Sequence, residues 1–297
     1  MRALHHFPNR TIHYMKTSIT IILLACVITQ GYSQDSAQLK KSPWFVQRFK
    51  VSAGLFIPVN NTNIQVSVNG SSTDGTEIDF EDDLGFEKVT PTLLGDFQWR
   101  ASRRSRFDFS YYLVNRKATH ELDRDIIFGE DTFKTNSNVH SFFNTGIYRI
   151  SYGYALISKP KFEAGLLVGF HIVGLKAGIS FKGDNLNVAA STDYKLTAPL
   201  PDFGIWGGYE FSKRFAVNME ADFLSLTVNN ISGSIVAYNF VLSYRILEPL
   251  HVALGYSGLN FKVDAVKDNL SAHLKWGYNG PSLTATYSFG NKNWLTD

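Results

Sequence analysis

The chain has 297 residues, 44% of them hydrophobic and 14% aromatic, with a formal net charge of +3. Its mean hydropathy of −0.10 means that apolar residues are interleaved with polar ones, and so small a charge with no basic stripe excludes a nucleic-acid binder. A single cysteine, Cys26, excludes both a disulfide framework and a thiolate metal site.

Residues 1–33 read as an upstream extension and a signal peptide, with the start at Met15. Lys16 supplies the positive flank, Ile19 to Ile28 the apolar core, and Gly31 and Ser33 the small residues before cleavage. The histidines His5, His6 and His13 fall in this removed segment. The apolar core is too short for an anchor helix. Leu23-Leu24-Ala25-Cys26 offers a lipoprotein signal instead, with Cys26 lipidated, but Leu24 is bulky for its place and Val27-Ile28 continue the apolar run. Both routes export the chain. Residues 34–42 form a short segment before the folded part, and no later stretch has the ~18 consecutive apolar residues of a membrane helix.

From residue 43 onward the chain alternates. Val89, Leu93, Phe97 and Trp99 oppose Thr92, Asp96, Gln98 and Arg100, and Phe107, Phe109, Tyr111 and Leu113 oppose Arg106, Asp108 and Ser110. Later, Phe203, Ile205, Tyr209 and Phe211 oppose Asp202, Gly204 and Glu210, with Trp206 breaking the pattern. Phe215, Val217, Met219 and Phe223 then oppose Asn218, Glu220 and Asp222. Val236 to Ile246 and Leu283 to Phe289 repeat the period of two. Segments such as Val139–Ser158 and Lys161–Lys182 far exceed the five or six residues of a sandwich strand. Trp99, Phe107, Phe211, Phe215, Tyr244 and Phe289 crowd the strand ends beside short turns, as an interfacial aromatic girdle does.

Short polar turns fall at Ser102–Ser105, Ser158–Lys161, Ser212–Arg214 and Glu248–Pro249. Between them lie loops near Asp123–Asp131, Gly183–Asn185, Asn229–Gly233 and Asp264–Ser271. Short turns alternating with longer loops predict an all-β fold: one antiparallel transmembrane β-barrel over residues 43–290, with short periplasmic turns, long extracellular loops and a tail at 291–297. First strands at Trp44–Val59 and Lys88–Arg100 give ten strands, and a further pair through Asn63–Val68 and Glu77–Phe80 would give twelve. From Ser42 to Gly290 the pattern resembles small outer-membrane barrels of the OmpA-like and porin-like kind, with Leu283–Phe289 similar to a barrel-closing last strand. Gly290–Asp297 after the last aromatic departs from that likeness. The resemblance implies the bacterial outer membrane, its lipid as surroundings and the barrel-assembly machinery as a partner in biogenesis. It confers no activity.

The faces opposite the apolar ones then line the lumen. They carry Arg48, Lys50, Arg100, Arg106, Arg149 and Arg245 with Asp96, Asp108, Glu163, Asp202, Glu210, Glu220 and Asp222, a near balance of sign that predicts a paired ionic plug and a closed lumen. No catalytic constellation stands out. His171 and Glu163 share a face but lie eight residues apart, His140 and Ser141 point to opposite faces, and His120 with Glu121 and Asp123 marks only a loop entrance. Asp79, Glu81, Asp82 and Asp83 lack EF-hand spacing and read as a solvated loop or a match for an internal arginine. The expectation is a barrel without cofactor or metal, structural or surface-binding in role, with a narrow passive channel and a lipid- or peptide-cleaving hydrolase as alternatives.

Overall fold

The computed structural model describes residues 42–70, 74–182, 188–267 and 270–290; the expected signal peptide with Cys26, the loop at Gly183–Asn185 and the tail 291–297 lie outside the described residues. The strands are β1 (Phe49–Phe56), β2 (Val59–Val68), β3 (Ile78–Asp79), β4 (Thr92–Arg100), β5 (Ser105–Glu121), β6 (Ile126–Phe128) and β7 (Asp131–Phe133). The long ones follow: β8 (Asn138–Ser158), β9 (Phe162–Lys182), β10 (Val188–Glu210), β11 (Phe215–Val228), β12 (Ile231–Arg245), β13 (Leu250–Lys267) and β14 (Leu270–Phe289). All neighbours pair antiparallel, and β1 closes the ring on β14 from Phe49↔Phe289 to Phe56↔Ser282.

The ring has ten staves. β2 continues β1 along β14 in the same register, from Val59↔Asn279 to Val68↔Leu270, so the two form one stave interrupted at Ile57–Pro58. Proline cannot donate to a ladder, and Pro58 faces the neighbourhood of Pro281, whose carbonyl takes the Ile57 N–H at 3.0 Å. The extra pair that would have made twelve staves does not enlarge the ring. One member is this continuation, and the other, β3, is a two-residue strand on β2. The second stave is shorter than Lys88–Arg100, because Pro91 stops β4 at Thr92 and leaves Val89 as a single bridge to Val59. The first begins at Phe49 rather than Trp44.

The side-chain alternation has an exposed apolar face and a buried face, but the chemistry of the two faces changes along the barrel. Near the short turns the outward residues are apolar: Leu166, Val168 and Phe170 on β9, Tyr148 and Ile150 on β8, Leu283 and Tyr287 on β14. Leu166 and Phe170 are each 53% exposed, and a belt of such residues round the ring is far larger than a soluble monomer shows. Lipid is the solvent that suits it. At the other end the same strands turn His140, Asn144, Lys176, Lys262, His273 and Lys275 outward. There the inward face is apolar, with Val139, Phe143, Val173, Leu175, Ile179, Phe261, Val263 and Trp276 buried.

The two long connections fold into this upper core. Residues 74–91 contribute Ile78, Phe80, Leu84 and Phe86, and residues 122–137, with the β6–β7 hairpin, contribute Leu122, Ile126, Phe128 and Phe133. Phe80 packs edge-on to Phe143 at 5.6 Å and stacks on Phe86 at 5.2 Å. Full burial of each such side chain contributes on the order of 1.5–3 kcal/mol. At Asn229–Asn230 the connection narrows to a two-residue turn, with Asn229 at φ 53°.

Candidate functional site

The candidate site is the lumen. Its half nearest the short turns holds a chain of ion pairs that crosses from strand to strand. Glu163, fully buried on β9, accepts from Arg100 at 2.6 Å and from Arg103 at 3.4 Å. Arg106 bonds Asp108 at 2.9 Å and Glu220 at 2.8 Å. Arg149 bonds Glu220, reaches Asp222 at 2.9 Å and lies 3.9 Å from Asp202, which in turn pairs with His171 Nδ1 at 2.7 Å. Gln98 donates to Asp108. Trp206, the residue that broke the sequence pattern, points inward and offers its ring to Arg106 at 3.9 Å and Arg100 at 5.8 Å. A large aromatic inside the lumen thus serves as a π partner for two arginines. Buried ions are costly singly and tolerable when paired and hydrogen-bonded, and this web pairs them across β4, β5, β8, β9, β10 and β11.

Not every residue assigned to the lumen belongs to that web. Arg48 sits at the rim, with Nη1 3.4 Å from the Ala101 carbonyl. Glu210 accepts the Trp44 backbone N–H at 2.9 Å, and Arg245 stands over the Trp44 ring at 5.4 Å. Glu210 and Arg245 therefore hold a different object, a stopper made by residues 43–47. Trp44, Phe45 and Val46 are buried against Ala216, in a turn closed by Val46 N–H to the Pro43 carbonyl at 3.0 Å. Trp44 meets His251 edge-on at 5.3 Å. Phe45 lies over Gly208, where a Cβ would come within 2.7 Å of its ring, so only glycine leaves it room. In sequence the stopper's signal was three successive large apolar residues, Trp44-Phe45-Val46, which no alternating strand would carry.

Between the stopper and the apolar core lies a cavity of about 320 Å³. Phe45 lines it below, and Phe56, Tyr112 and Tyr278 line it above. Lys50 and Asp96 face it, and Ser52, Ser282 and Thr286 form a hydroxyl-bearing side, with Ser52 Oγ and Thr286 Oγ1 2.9 Å apart. The expectation of a charge-filled lumen is therefore corrected in extent. Charged side chains line the half level with the lipid-facing belt, beside the cavity, and apolar side chains fill the rest, because the strands run past the belt into water and their faces exchange character. The six aromatics expected to form a girdle, Trp99, Phe107, Phe211, Phe215, Tyr244 and Phe289, all lie at the short-turn end, where Trp99 stacks on Phe107 at 5.2 Å and Phe215 meets Tyr244 at 4.9 Å.

The acidic stretch in 74–91 is accounted for residue by residue. Glu81 forms a buried pair with Arg116 at 2.5 Å and accepts the Thr62 N–H at 2.8 Å, while Arg116 also donates to the Glu87 carbonyl at 3.0 Å. Asp83 holds Arg124 at 2.6 Å, and Asp82 meets Lys88 at 3.1 Å, its hydrogen bond raising the Lys88 ammonium above its ordinary range. Asp79 accepts the backbone N–H groups of Glu81 and Asp82. The match to an internal arginine is Arg116, and no metal-binding cluster occurs among the described residues.

Groups suited to acid–base chemistry are dispersed. His120 turns inward beside Gly85, while Glu121 turns outward from the next position of β5. Thr119 and His140 share a hydrogen bond of 2.8 Å on the outer surface. His171 with Asp202 makes a dyad of base and orienter, enclosed in the lumen.

No protein-family model matches the chain. No curated protein matches it either. Among solved structures, the outer membrane protease OmpT from Escherichia coli superposes with a TM-score of 0.51 at 10% identity, over 83% of this chain and 100% of that one. The translocator domain of autotransporter NalP from Neisseria meningitidis gives 0.43 at 9% identity, over 93% and 96%. The Pseudomonas putida toluene transporter TodX gives 0.34 at 11% identity, over 87% and 94%. At such identity the likeness to OmpT speaks for fold alone, and the fold is that of an outer-membrane β-barrel.

Proposed function

We propose that this protein is a closed, non-conducting outer-membrane barrel with a structural or surface-binding role, and neither a passive channel nor an enzyme. One observation carries the reading: the lumen is obstructed at one end by the Trp44–Val46 stopper and at the other by the apolar core, with the ion-pair web lining one side of the cavity between them. The seals lie in series, so a solute that passed one would meet the next. A conducting, selective pore more naturally shows an open constriction of one sign. The seals also bear on the hydrolase reading, since the His171–Asp202 dyad lies beyond reach of either mouth. What the barrel offers its surroundings is the folded extension above the belt, with its mixed-sign outward face. Export by the N-terminal signal peptide, a folded part spanning 43–290, outer-membrane lipid round the belt and delivery by the barrel-assembly machinery belong to the same reading.

Planar-bilayer conductance of refolded protein tests it. Wild type is expected to be silent, and so is Trp44→Ala with Phe45→Ala, because the upper core still closes the barrel. Steady conductance in the wild type would overturn the reading and make transport through the 320 Å³ cavity the leading function.

A further inference from the structure

The short-turn rim carries an arc of cations that neither the lumen nor the proposed role uses. The turn between β8 and β9 presents Lys159 and Lys161, and the turn between β10 and β11 presents Lys213 and Arg214, all four exposed. These turns are neighbours: the Lys161 carbonyl accepts the Glu210 N–H at 2.8 Å, one residue before Phe211 opens the next turn. Arg104 extends the arc across β8 through hydrogen bonds to the Ala155 and Leu156 carbonyls at 3.2 and 3.1 Å. From β5 to β11 the arc covers four strand gaps, about 20 Å at ~4.8 Å each.

Two further observations give the arc a direction. Of the carboxylates at this end, Glu163 is held by Arg100 and Arg103 and Glu210 by the Trp44 N–H, while Glu248 stands exposed in the turn between β12 and β13; none of the four exposed cations has an ion-pair partner among the described residues. Directly above them the outward face is apolar: Leu156 and Ile157 precede Lys159, and Phe211 and Phe215 bracket Lys213-Arg214. Ser212 Oγ fixes that second turn by accepting the Arg214 and Phe215 N–H groups at 3.2 and 3.1 Å. Cations lying immediately beyond an aromatic and aliphatic lipid-facing belt stand at headgroup level. We propose that this arc is a binding surface for anionic phospholipid of the adjacent leaflet, with acyl chains against Leu156, Ile157, Phe211 and Phe215 and the phosphate met by Lys159, Lys161, Lys213 and Arg214.

The inference rests on the membrane reading of the belt, and the test separates the two. Refolded protein is placed in phosphatidylcholine bilayers with trace spin-labelled phosphatidylglycerol or spin-labelled phosphatidylcholine, and the motionally restricted lipid fraction is compared. Wild type should prefer phosphatidylglycerol by about fivefold or more, given the typical attraction of each cation at an anionic surface. Raising salt to about 1 M, where the Debye length falls to ~3 Å, should largely erase the preference. Lys159→Gln, Lys161→Gln, Lys213→Gln and Arg214→Gln together should bring it close to one. The matched removal of Lys117, Lys195, Lys262 and Lys275 at the other end, each changed to Gln, should leave it intact. Inorganic phosphate at matched ionic strength should not displace the lipid; displacement would mark a free-anion site and overturn the lipid assignment. A folded wild type without preference would overturn it too, as would a preference that survives high salt or the rim variant. Protein that yields no restricted lipid of either kind, though folded, would instead refute the membrane belt.

Discussion

The two halves of this barrel are built from the same strands and obey opposite rules. In the half near the short turns, β9 shows Leu166, Val168 and Phe170 outward and keeps Glu163 and His171 inward. Past Ile172 it shows Lys176 outward and keeps Val173, Leu175, Ala177 and Ile179 inward. The parity of the strand never changes; only the solvent does. Lipid outside favours an apolar exterior and leaves the interior free for paired ions, whereas water outside demands a polar exterior and drives the apolar residues inward. The difference teaches that a long strand can be a membrane stave below and a wall of a water-soluble core above, with paired ions inside one half and apolar side chains inside the other.

That comparison can be broken or sharpened by experiment. The largest effect is expected for Glu163→Gln, which strands Arg100 and Arg103 in the lipid-level half. Loss of one partner of a buried pair costs about 3–5 kcal/mol, read by equilibrium urea unfolding in lipid vesicles. Phe143→Ala, in the upper half, should cost about 3 kcal/mol, the low end for such a truncation because the 74–91 loop has room to settle. Its signature is regional: hydrogen exchange should rise in Val139–Ile147 and in residues 74–91 while the ion-pair half stays protected. Uniform loosening would mean that the halves are one unit.

Outward positions of β9 provide a direct contrast. Val168→Lys should cost about 2–4 kcal/mol in vesicle refolding, as a cation does near the bilayer midplane. Lys176→Leu, eight residues further along the same face, should stay within about 0.5 kcal/mol. Equal costs would place both residues in one solvent and dissolve the distinction. The smallest effect concerns pH. Asp125, exposed in the upper loop, is held below the ordinary carboxylate range by Lys134 at 2.7 Å and by the Thr135 N–H at 2.9 Å. A depressed carboxyl contributes order above its unfolded pKa and loses it as pH falls through the folded value. The Thr135 amide should therefore exchange faster once Asp125 is protonated, and Asp125→Asn should make that exchange indifferent to acid.

How much could be read beforehand depended on the kind of signal. Alternation is a local property of the chain, so the staves from Phe107 through Phe289, their apolar faces and the short turns with flanking aromatics were legible, as was the near balance of charge among the inward residues. The first hundred residues were harder. Pro58 and Pro91 interrupt the ladder without ending the wall, so one stave looked like two and the count wavered between ten and twelve. Trp206 read as an exception only because nothing local says that Arg106 will lie 3.9 Å above it. Arg245 looked like a lumen base and serves the stopper at Trp44, two hundred residues away in sequence.

The sequence by itself determined the strand faces, the turn positions and the supply of paired charges, because each follows from period-two geometry and residue chemistry within a few neighbours. Tertiary structure alone decided which acid meets which base, that residues 43–47 fold inward, that the two long loops complete an apolar core, and that cations from separate turns form one arc. The reason is physical. Ring closure brings distant segments to the same height, and burial, ion pairing and solvent exposure are properties of that shared height rather than of any stretch of chain.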